Sequence, residues 1–151
     1  MKYKQSLMLA LLATACAVTA VHAAPEPGLA AQQAEVQEKV LYHINDASVA
    51  RVALRNIENH LDASPEARIV VVTHGKGIDF LLNDAKDDKG PYQAQVAGLK
   101  NRGVDFRVCR NTLKGRKLDD NAVIFEAGVV PSGVAELGKL QAREGFAYIK
   151  P

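Results

Sequence analysis

The chain has 151 residues, of which 48% are hydrophobic, and its formal net charge is +2. Length and composition are those of a single globular domain with a substantial core. The small net charge excludes the strong basic field typical of proteins that bind nucleic acid or anionic membranes, and two cysteines are too few for a disulfide scaffold or a multi-cysteine zinc site.

Residues 1–23 have the three parts of a cleavable secretory signal peptide. Two early lysines precede an apolar run over residues 7–20, and small residues at the −3 and −1 positions predict cleavage after Ala23. The apolar run is too short to span a bilayer comfortably, which disfavours a retained membrane anchor. A lipid anchor on Cys16 is disfavoured because the favoured leucine does not precede it. We therefore predict a bacterial periplasmic protein without stable membrane insertion.

The mature chain is predicted to carry no net charge and one thiol. Lys2 and Lys4 lie in the predicted leader, so the lysines and arginines that remain equal the 17 acidic residues. No binding of nucleic acid is therefore predicted. Two prolines and several alanines and glutamines mark residues 24–37 as a flexible arm, and the domain is predicted over residues 38–151.

Strands and helices alternate along the domain. Five apolar or alternating runs predict strands at residues 39–44, 68–73, 104–109, 122–130 and 146–149. The first helix follows the capping residues Asn45 and Asp46, carries an apolar stripe and ends near residues 63–65. Residues 78–82 are apolar but short, so their state stays open, and the charged residues 83–90 predict a solvated loop.

Prolines and glycines mark two further helices. Pro91 suits the first turn of a helix that Gly103 ends. The segment Pro131-Ser132-Gly133 opens the last helix, in which Ser132 is predicted to be the N-cap, and Gly145 stops it. The side chains predicted to pack from this last helix are Val134, Leu137 and Leu140.

This alternation predicts an α/β fold, with three α/β/α layers around a mostly parallel sheet of about five strands. In such sheets ligands bind beyond the carboxyl ends of the strands. Three loops are expected to meet there: residues 74–77, 109–112 and 131–133.

The third strand has one apolar and one polar face, whereas a strand covered on both faces is apolar on both. Its polar face carries Asp105, Arg107 and Cys109. We expect that face to be thinly covered, to lie at a sheet edge or to pair with another subunit. Simple solvent exposure and a subunit contact remain as alternatives.

Cys109 is the main candidate for chemistry, because it ends a strand and has no cysteine partner in the mature chain. Asn111 is predicted to cap a short turn through Leu113, whose free amides would stabilise a nucleophilic thiolate. Nearby cations would add positive potential: Arg107, Arg110, Lys114, Arg116 and Lys117. The alternative is a buried, inert cysteine, which is a common fate of free thiols.

The other candidate residues carry weaker signals. The segment His74-Gly75-Lys76-Gly77 follows a strand, but Phe80 stands where a dinucleotide fingerprint needs glycine or alanine, so we predict a tight turn and no cofactor. His74 is placed to orient or deprotonate the thiol, although a histidine at a strand end is more often structural. His43 and His60 lack the spacing of metal ligands, so no metal site is predicted.

Five segments, in order, resemble the DsrE/DsrF-like family: Val71-Val-Thr-His-Gly75, Gly77-Ile-Asp-Phe-Leu-Leu82, Gly103-Val-Asp-Phe-Arg-Val-Cys-Arg-Asn-Thr-Leu113, Val129-Val-Pro-Ser-Gly-Val-Ala-Glu-Leu137 and Gly145-Phe-Ala-Tyr-Ile-Lys-Pro151. The resemblance covers about residues 38–151. It implies a compact α/β/α fold and assembly as a trimer or hexamer. Some members relay sulfur as a cysteine persulfide in sulfur oxidation or tRNA thiolation, and Cys109 matches the cysteine of this motif.

The leading hypothesis is a periplasmic protein that carries or senses sulfane sulfur through Cys109, as a possible sulfur carrier or transferase. The Cys109 thiolate would take up a sulfane sulfur and pass the persulfide to a partner protein with a free thiol. Supporting or binding residues would be His74, Gly75, Asn111, Thr112 and Ser132. One alternative is an oligomeric module that binds a small anion or small molecule, with Cys109 only packing. Another is a redox-sensing thiol that forms an intermolecular disulfide or a sulfenic acid.

Overall fold

The computed structural model of the protein describes residues 37–151. The predicted signal peptide, residues 1–23, lies outside the described residues, as does all of the predicted arm except its last residue. Within residues 37–151, no helix is both long enough and apolar enough to cross a membrane.

Seven strands occur in the described part of the chain: β1 (Lys39–Ile44), β2 (Arg68–Thr73), β3 (Lys86–Asp87), β4 (Gly90–Pro91), β5 (Asp105–Cys109), β6 (Ala127–Val130) and β7 (Ala147–Ile149). Five of them form one sheet in the order β6-β5-β2-β1-β7, in which every neighbouring pair is parallel. The short strands β3 and β4 form a separate antiparallel hairpin.

Helices cover both faces of the sheet: α1 (Ala50–Ala63), α2 (Gln93–Asn101), α3 (Arg110–Gly115) and α4 (Gly133–Glu144). Apolar side chains of α1, α2 and α3 pack on one face against alternate residues of the strands. On the other face α4 packs against a smaller cluster: Leu41, Val70, Val72, Leu137, Leu140 and Phe146. The predicted three-layer α/β/α fold with a parallel sheet of five strands is therefore confirmed.

Several predicted boundaries agree with the structure. Strands β1 and β2 have the predicted limits, Lys39–Ile44 and Arg68–Thr73. The carboxylate of Asp46 accepts a hydrogen bond of 2.9 Å from the Ser48 amide, and so caps a short 3-10 turn that leads into α1. The segment whose state stayed open is a 3-10 helix, Gly75–Leu81.

The predicted fourth strand, residues 122–130, is wrong in its first half, because only Ala127–Val130 joins the sheet. Ala122 ends a 3-10 turn that Asp119 caps. Beyond it, the backbone bonds to the segment after β2 instead of to β5: the Ile124 amide donates to the Leu81 carbonyl at 3.0 Å. Phe125 then projects outward and is 96% exposed.

The predicted start of the second helix at Pro91 is also wrong, since Pro91 lies in β4 and α2 begins at Gln93. The cause is a hairpin where a solvated loop was predicted. Arg51 of α1 makes a bidentate ion pair with Asp87, at 2.8 and 2.9 Å, and also donates to the Gly90 carbonyl. These contacts fix residues 86–91 against α1.

The polar face of β5 lies under α4. β5 pairs with β2 on one side and β6 on the other, so it is not an edge strand. Arg107, whose side chain is 18% exposed, pairs with Asp105 of the same strand and with Glu136 of α4. The polar face of β5 is thus covered by a single helix, and pairing with another subunit stays a prediction.

The prediction that Val134 of α4 packs in the core is wrong, because this side chain is 65% exposed.

Gly77 supplies a test of the packing between β1 and the turn after β2. A Cβ atom at this position would lie 2.0 Å from the Ile44 carbonyl oxygen, which is a backbone atom that cannot rotate away. We expect Gly77→Ala to lower the free energy of unfolding by more than about 3 kcal/mol in urea titrations.

Gly98→Ala is the matched control, because Gly98 lies inside α2 with nothing within 4 Å of the added carbon. It is expected to raise the free energy of unfolding by up to about 1 kcal/mol, since alanine favours a helix. Equal denaturation midpoints for Gly77→Ala and the wild type would contradict the close approach at Ile44.

Candidate functional site

The candidate site lies where β2 and β5 end. In the register of these neighbouring strands Thr73 pairs with Val108, so the next residues, His74 and Cys109, stand side by side. The loops after the two strands are joined by a hydrogen bond of 3.1 Å from the Gly75 amide to the Thr112 hydroxyl oxygen. Two of the three predicted loops therefore meet directly.

The third loop joins them at Gly133, the first residue of α4. A Cβ atom there would lie 3.1 Å from the Cβ of Cys109, 3.2 Å from the Cβ of His74 and 3.3 Å from the Thr73 carbonyl oxygen. Glycine, which has no side chain, lets the start of α4 approach this closely without moving its neighbours. Gly133 therefore brings the amino terminus of α4 to the thiol.

Cys109 is a free cysteine with 5% of its surface exposed. Burial raises the pKa of its thiol, because a thiolate is disfavoured away from water. Hydrogen bonds from the Gly133 amide, from the hydroxyl and amide of Thr112, and from the Asn111 amide act in the opposite direction and outweigh burial. The net result is a pKa below the ordinary value for a thiol.

Thr112 links two parts of the site through its hydroxyl. The oxygen accepts from the Gly75 amide, so its own proton is free to be donated to the Cys109 sulfur. Asn111 contributes its backbone amide, while its side chain is exposed. The prediction that Asn111 caps the following helix is wrong: α3 starts at Arg110 and Cys109 itself holds the N-cap position.

The predicted support from nearby cations is not found among the groups that lower the Cys109 pKa, all of which are hydrogen-bond donors. Three of the arginines are paired with carboxylates: Arg107 with Asp105 and Glu136, Arg110 with Asp120, and Arg116 with Asp79. Their charge is locally neutralised, so within the described residues the thiolate depends on hydrogen bonds.

Ser132 has the predicted capping role. Its hydroxyl accepts a hydrogen bond of 3.4 Å from the Ala135 amide and marks the start of α4. It therefore fixes the helix whose first residue, Gly133, contacts Cys109. A direct role of Ser132 in binding stays a prediction, as do the chemical roles of the other site residues.

A histidine pair, which the sequence reasoning missed, extends the site. The Nε2 atoms of His43 and His74 are 2.8 Å apart, and the Nδ1 atom of His43 lies 2.6 Å from the hydroxyl of Tyr148. No role was predicted for His43, because its spacing in the sequence does not fit a metal ligand. The feature that could have indicated a role is its position near the end of β1, the strand that neighbours β2, which His74 follows.

Burial lowers the pKa of His43 to about 4, with further contributions from the charges of His74 and Lys150. His43 is therefore neutral near neutral pH.

Within residues 37–151, no group of three or more histidine, cysteine or acidic side chains could hold a metal ion.

Comparison with known proteins identifies relatives of this chain. The model of the DsrE/DsrF-like family matches residues 38–151. MTH1491, a protein of unknown function from Methanobacterium thermoautotrophicum, is 31% identical with a TM-score of 0.69, and the match covers 76% of this chain and 100% of that one. The ychN protein from E. coli is 14% identical with a TM-score of 0.61, covering 76% and 99%, and so shares the fold. No curated protein matches this chain.

Thr112→Val tests the origin of the low thiol pKa. It removes the hydroxyl donor while keeping the shape, so the pH midpoint of Cys109 alkylation by iodoacetamide is expected to rise by roughly one unit. Thr112→Ser keeps the donor and is expected to stay near the wild type. An unchanged midpoint in Thr112→Val would contradict stabilisation of the thiolate by this hydroxyl.

The low pKa of His43 makes stability depend on pH. The unfolded chain takes up a proton on this ring near pH 6.5, whereas the folded chain does so near pH 4. The unfolded state therefore binds more protons between these values, and stability falls as pH falls through them, by at most about 3 kcal/mol. Urea unfolding across this window is expected to show the loss in the wild type and not in His43→Gln. Parallel curves for the two proteins would contradict a buried neutral His43.

Proposed function

Since the chain belongs to the DsrE/DsrF-like family, which is linked in general to sulfur metabolism, we propose that it carries sulfane sulfur on Cys109. The observation that carries the proposal is the convergence of three amides and one hydroxyl on a free thiol whose pKa is lowered. A thiolate at neutral pH is the form that attacks sulfur.

The proposed uptake step is a nucleophilic displacement at sulfur. The Cys109 thiolate attacks the outer sulfur of a small persulfide, the sulfur–sulfur bond of the donor breaks, and a new one forms on Cys109. The donor leaves as a thiolate with the electron pair of the broken bond and takes up a proton. Delivery repeats this displacement, with a thiol of the partner protein as the nucleophile. No external oxidant or reductant is needed.

The chain's own residues have distinct parts in this scheme. The amides of Asn111, Thr112 and Gly133 hold the negative charge on the sulfur before attack. His74, beside Cys109 in the strand register, is the group proposed to accept the thiol proton and return it to the leaving thiolate. Because Cys109 is only 5% exposed, the donor or partner must present a slender group at the loop junction.

We place the carrier in the periplasm, where the predicted signal peptide would deliver it. The periplasm is an oxidising compartment, and the single thiol of the predicted mature chain has no second cysteine with which to form an intramolecular disulfide.

We further propose assembly as a trimer or hexamer. Phe125 (96% exposed) and Val134 (65%) are the most exposed large apolar side chains of residues 37–151, and we propose that they lie in the subunit contact.

The second candidate function is an oligomeric module that binds a small anion or small molecule. The small exposed fraction of Cys109 favours it, because a thiol buried this far can also be inert. In that case the amides around the sulfur would serve the ligand or the local fold instead of a nucleophile.

The direct test is the intact mass of the mature protein after incubation with a small-molecule persulfide donor. We expect a gain of one sulfur atom that a reducing agent removes. Cys109→Ser, which keeps the size of the side chain and replaces the nucleophile, is expected to show no gain while unfolding at a similar temperature.

Sulfur loading of Cys109→Ser would contradict the proposed carrier residue. Wild-type protein that gains no sulfur, although its thiol is free beforehand, would favour the binding module. A gain of oxygen or a disulfide-linked dimer would instead favour the redox-sensing thiol.

A further inference from the structure

Four side chains form a row across the carboxyl end of the sheet, termed here the carboxyl-end row: Cys109, His74, His43 and Tyr148. Cys109 ends β5, His74 directly follows β2, His43 lies in β1 and Tyr148 lies in β7. These four strands are successive neighbours in the sheet. Tyr148 pairs with Leu41 and His43 pairs with Val72, both of which pack under α4. Because alternate residues share a face, the whole row lies on the face covered by α4.

The row leads from a buried thiol to the protein surface. Cys109 and His74 both flank the start of α4, because a Cβ atom added to Gly133 would lie 3.1 Å from the Cβ of Cys109 and 3.2 Å from the Cβ of His74. His74 Nε2 lies 2.8 Å from His43 Nε2, and His43 Nδ1 lies 2.6 Å from the Tyr148 hydroxyl. Tyr148 is 43% exposed, whereas His43 is 9% and Cys109 is 5% exposed. Solvent access therefore increases from Cys109 to Tyr148, and hydrogen bonds join the last three members, His74, His43 and Tyr148.

We propose that His43 and Tyr148 are positioning residues that set the proton state of His74, so that the carboxyl-end row moves protons between Cys109 and solvent. This inference rests on the proposed function, in which Cys109 must lose its proton before it attacks sulfur and a leaving thiolate must gain one. Neither His43 nor Tyr148 touches the reacting sulfur, and both act through His74.

The protons in the row can be followed atom by atom. If His43 donates its Nδ1 proton to the Tyr148 oxygen, its Nε2 atom must accept from the Nε2 proton of His74. His74 Nδ1 is then unprotonated and free to accept the proton of the Cys109 thiol. A concerted shift along the row passes one proton from each group to the next and releases the last one from Tyr148 to water.

Neutral His43 fits this role. Burial and the neighbouring charges of His74 and Lys150 keep its pKa low, so it passes a proton along without holding the charge. The other charged groups near the row are largely paired. Arg107 is bound by Asp105 and Glu136 on the α4 side. Arg116 is bound by Asp79 and also donates to the Gly75 carbonyl. Lys76, two residues after His74, is exposed.

A second tyrosine–histidine hydrogen bond supplies a matched control. Tyr42, on β1 as well, bonds through its hydroxyl to His60 Nδ1 at 3.0 Å, and His60 bonds to Glu38. Tyr42 faces the core on the α1 side and takes no part in the row. Tyr42→Phe and Tyr148→Phe each remove one hydroxyl and break one tyrosine–histidine bond, but only Tyr148→Phe alters the row.

The test measures two properties in wild type, Tyr148→Phe and Tyr42→Phe: the pH profile of Cys109 alkylation and the rate of sulfur loading from a persulfide donor. In Tyr148→Phe the histidine pair loses its fixed tautomer, so His74 Nδ1 is no longer kept free to accept the thiol proton. We expect the alkylation midpoint to rise by about half to one pH unit, with loading below that midpoint about 3- to 10-fold slower. Tyr42→Phe is expected to retain the wild-type midpoint despite a loss of stability. His43→Gln is expected to shift the profile in the same direction as Tyr148→Phe.

Superimposable profiles for Tyr148→Phe and the wild type, or equal shifts in both tyrosine variants, would overturn the relay. The alkylation profile needs no persulfide, so it decides the relay even if the wild type fails to load sulfur. Failure to load with a shifted Tyr148→Phe profile would overturn the carrier function and keep the row as the device that sets thiol ionisation.

Discussion

The approach of Gly133 to the ends of β2 and β5 is the contact on which the rest of the site depends. An added Cβ would lie 3.1 Å from that of Cys109, so a larger residue requires a strand end or α4 to shift by a few tenths of an ångström. The contact fixes the helix start over the thiol and holds Cys109 and His74 together. Ser132, as N-cap, determines that the helix starts at this residue. The site is therefore set by backbone packing before any side chain contributes.

The same packing creates two opposing effects on Cys109. Covering the thiol removes water and raises its pKa, while the amides brought by α3 and α4 stabilise the thiolate. Hydrogen bonds prevail, and nearby arginines contribute little because carboxylates neutralise them. Fixed amides favour the thiolate without a mobile counter-ion, even within a nearly closed space. That combination suits a residue that holds a labile sulfur atom away from bulk water.

Sequence predicted the regular parts of the fold and failed where tertiary contacts decide. The apolar runs of β1 and β2 were placed correctly, since a buried parallel strand needs a continuous apolar segment. The hairpin after β2 was missed because one distant residue, Arg51, stabilises it. Cys109 was found from residue type and topology. His43 and Tyr148 were not, because they are 105 residues apart in sequence and only the pairing of β1 with β7 makes them neighbours.

The central claim is that this fold lowers the pKa of the Cys109 thiol below that of a model thiol. Titration of the thiolate by its ultraviolet absorbance, in the wild-type mature protein, tests it most directly, because Cys109 is the single thiol that remains after removal of the predicted leader. The account predicts a midpoint clearly below that of a model thiol, about 8.5. A midpoint at or above that value would show that burial prevails over the hydrogen bonds, and would contradict the account.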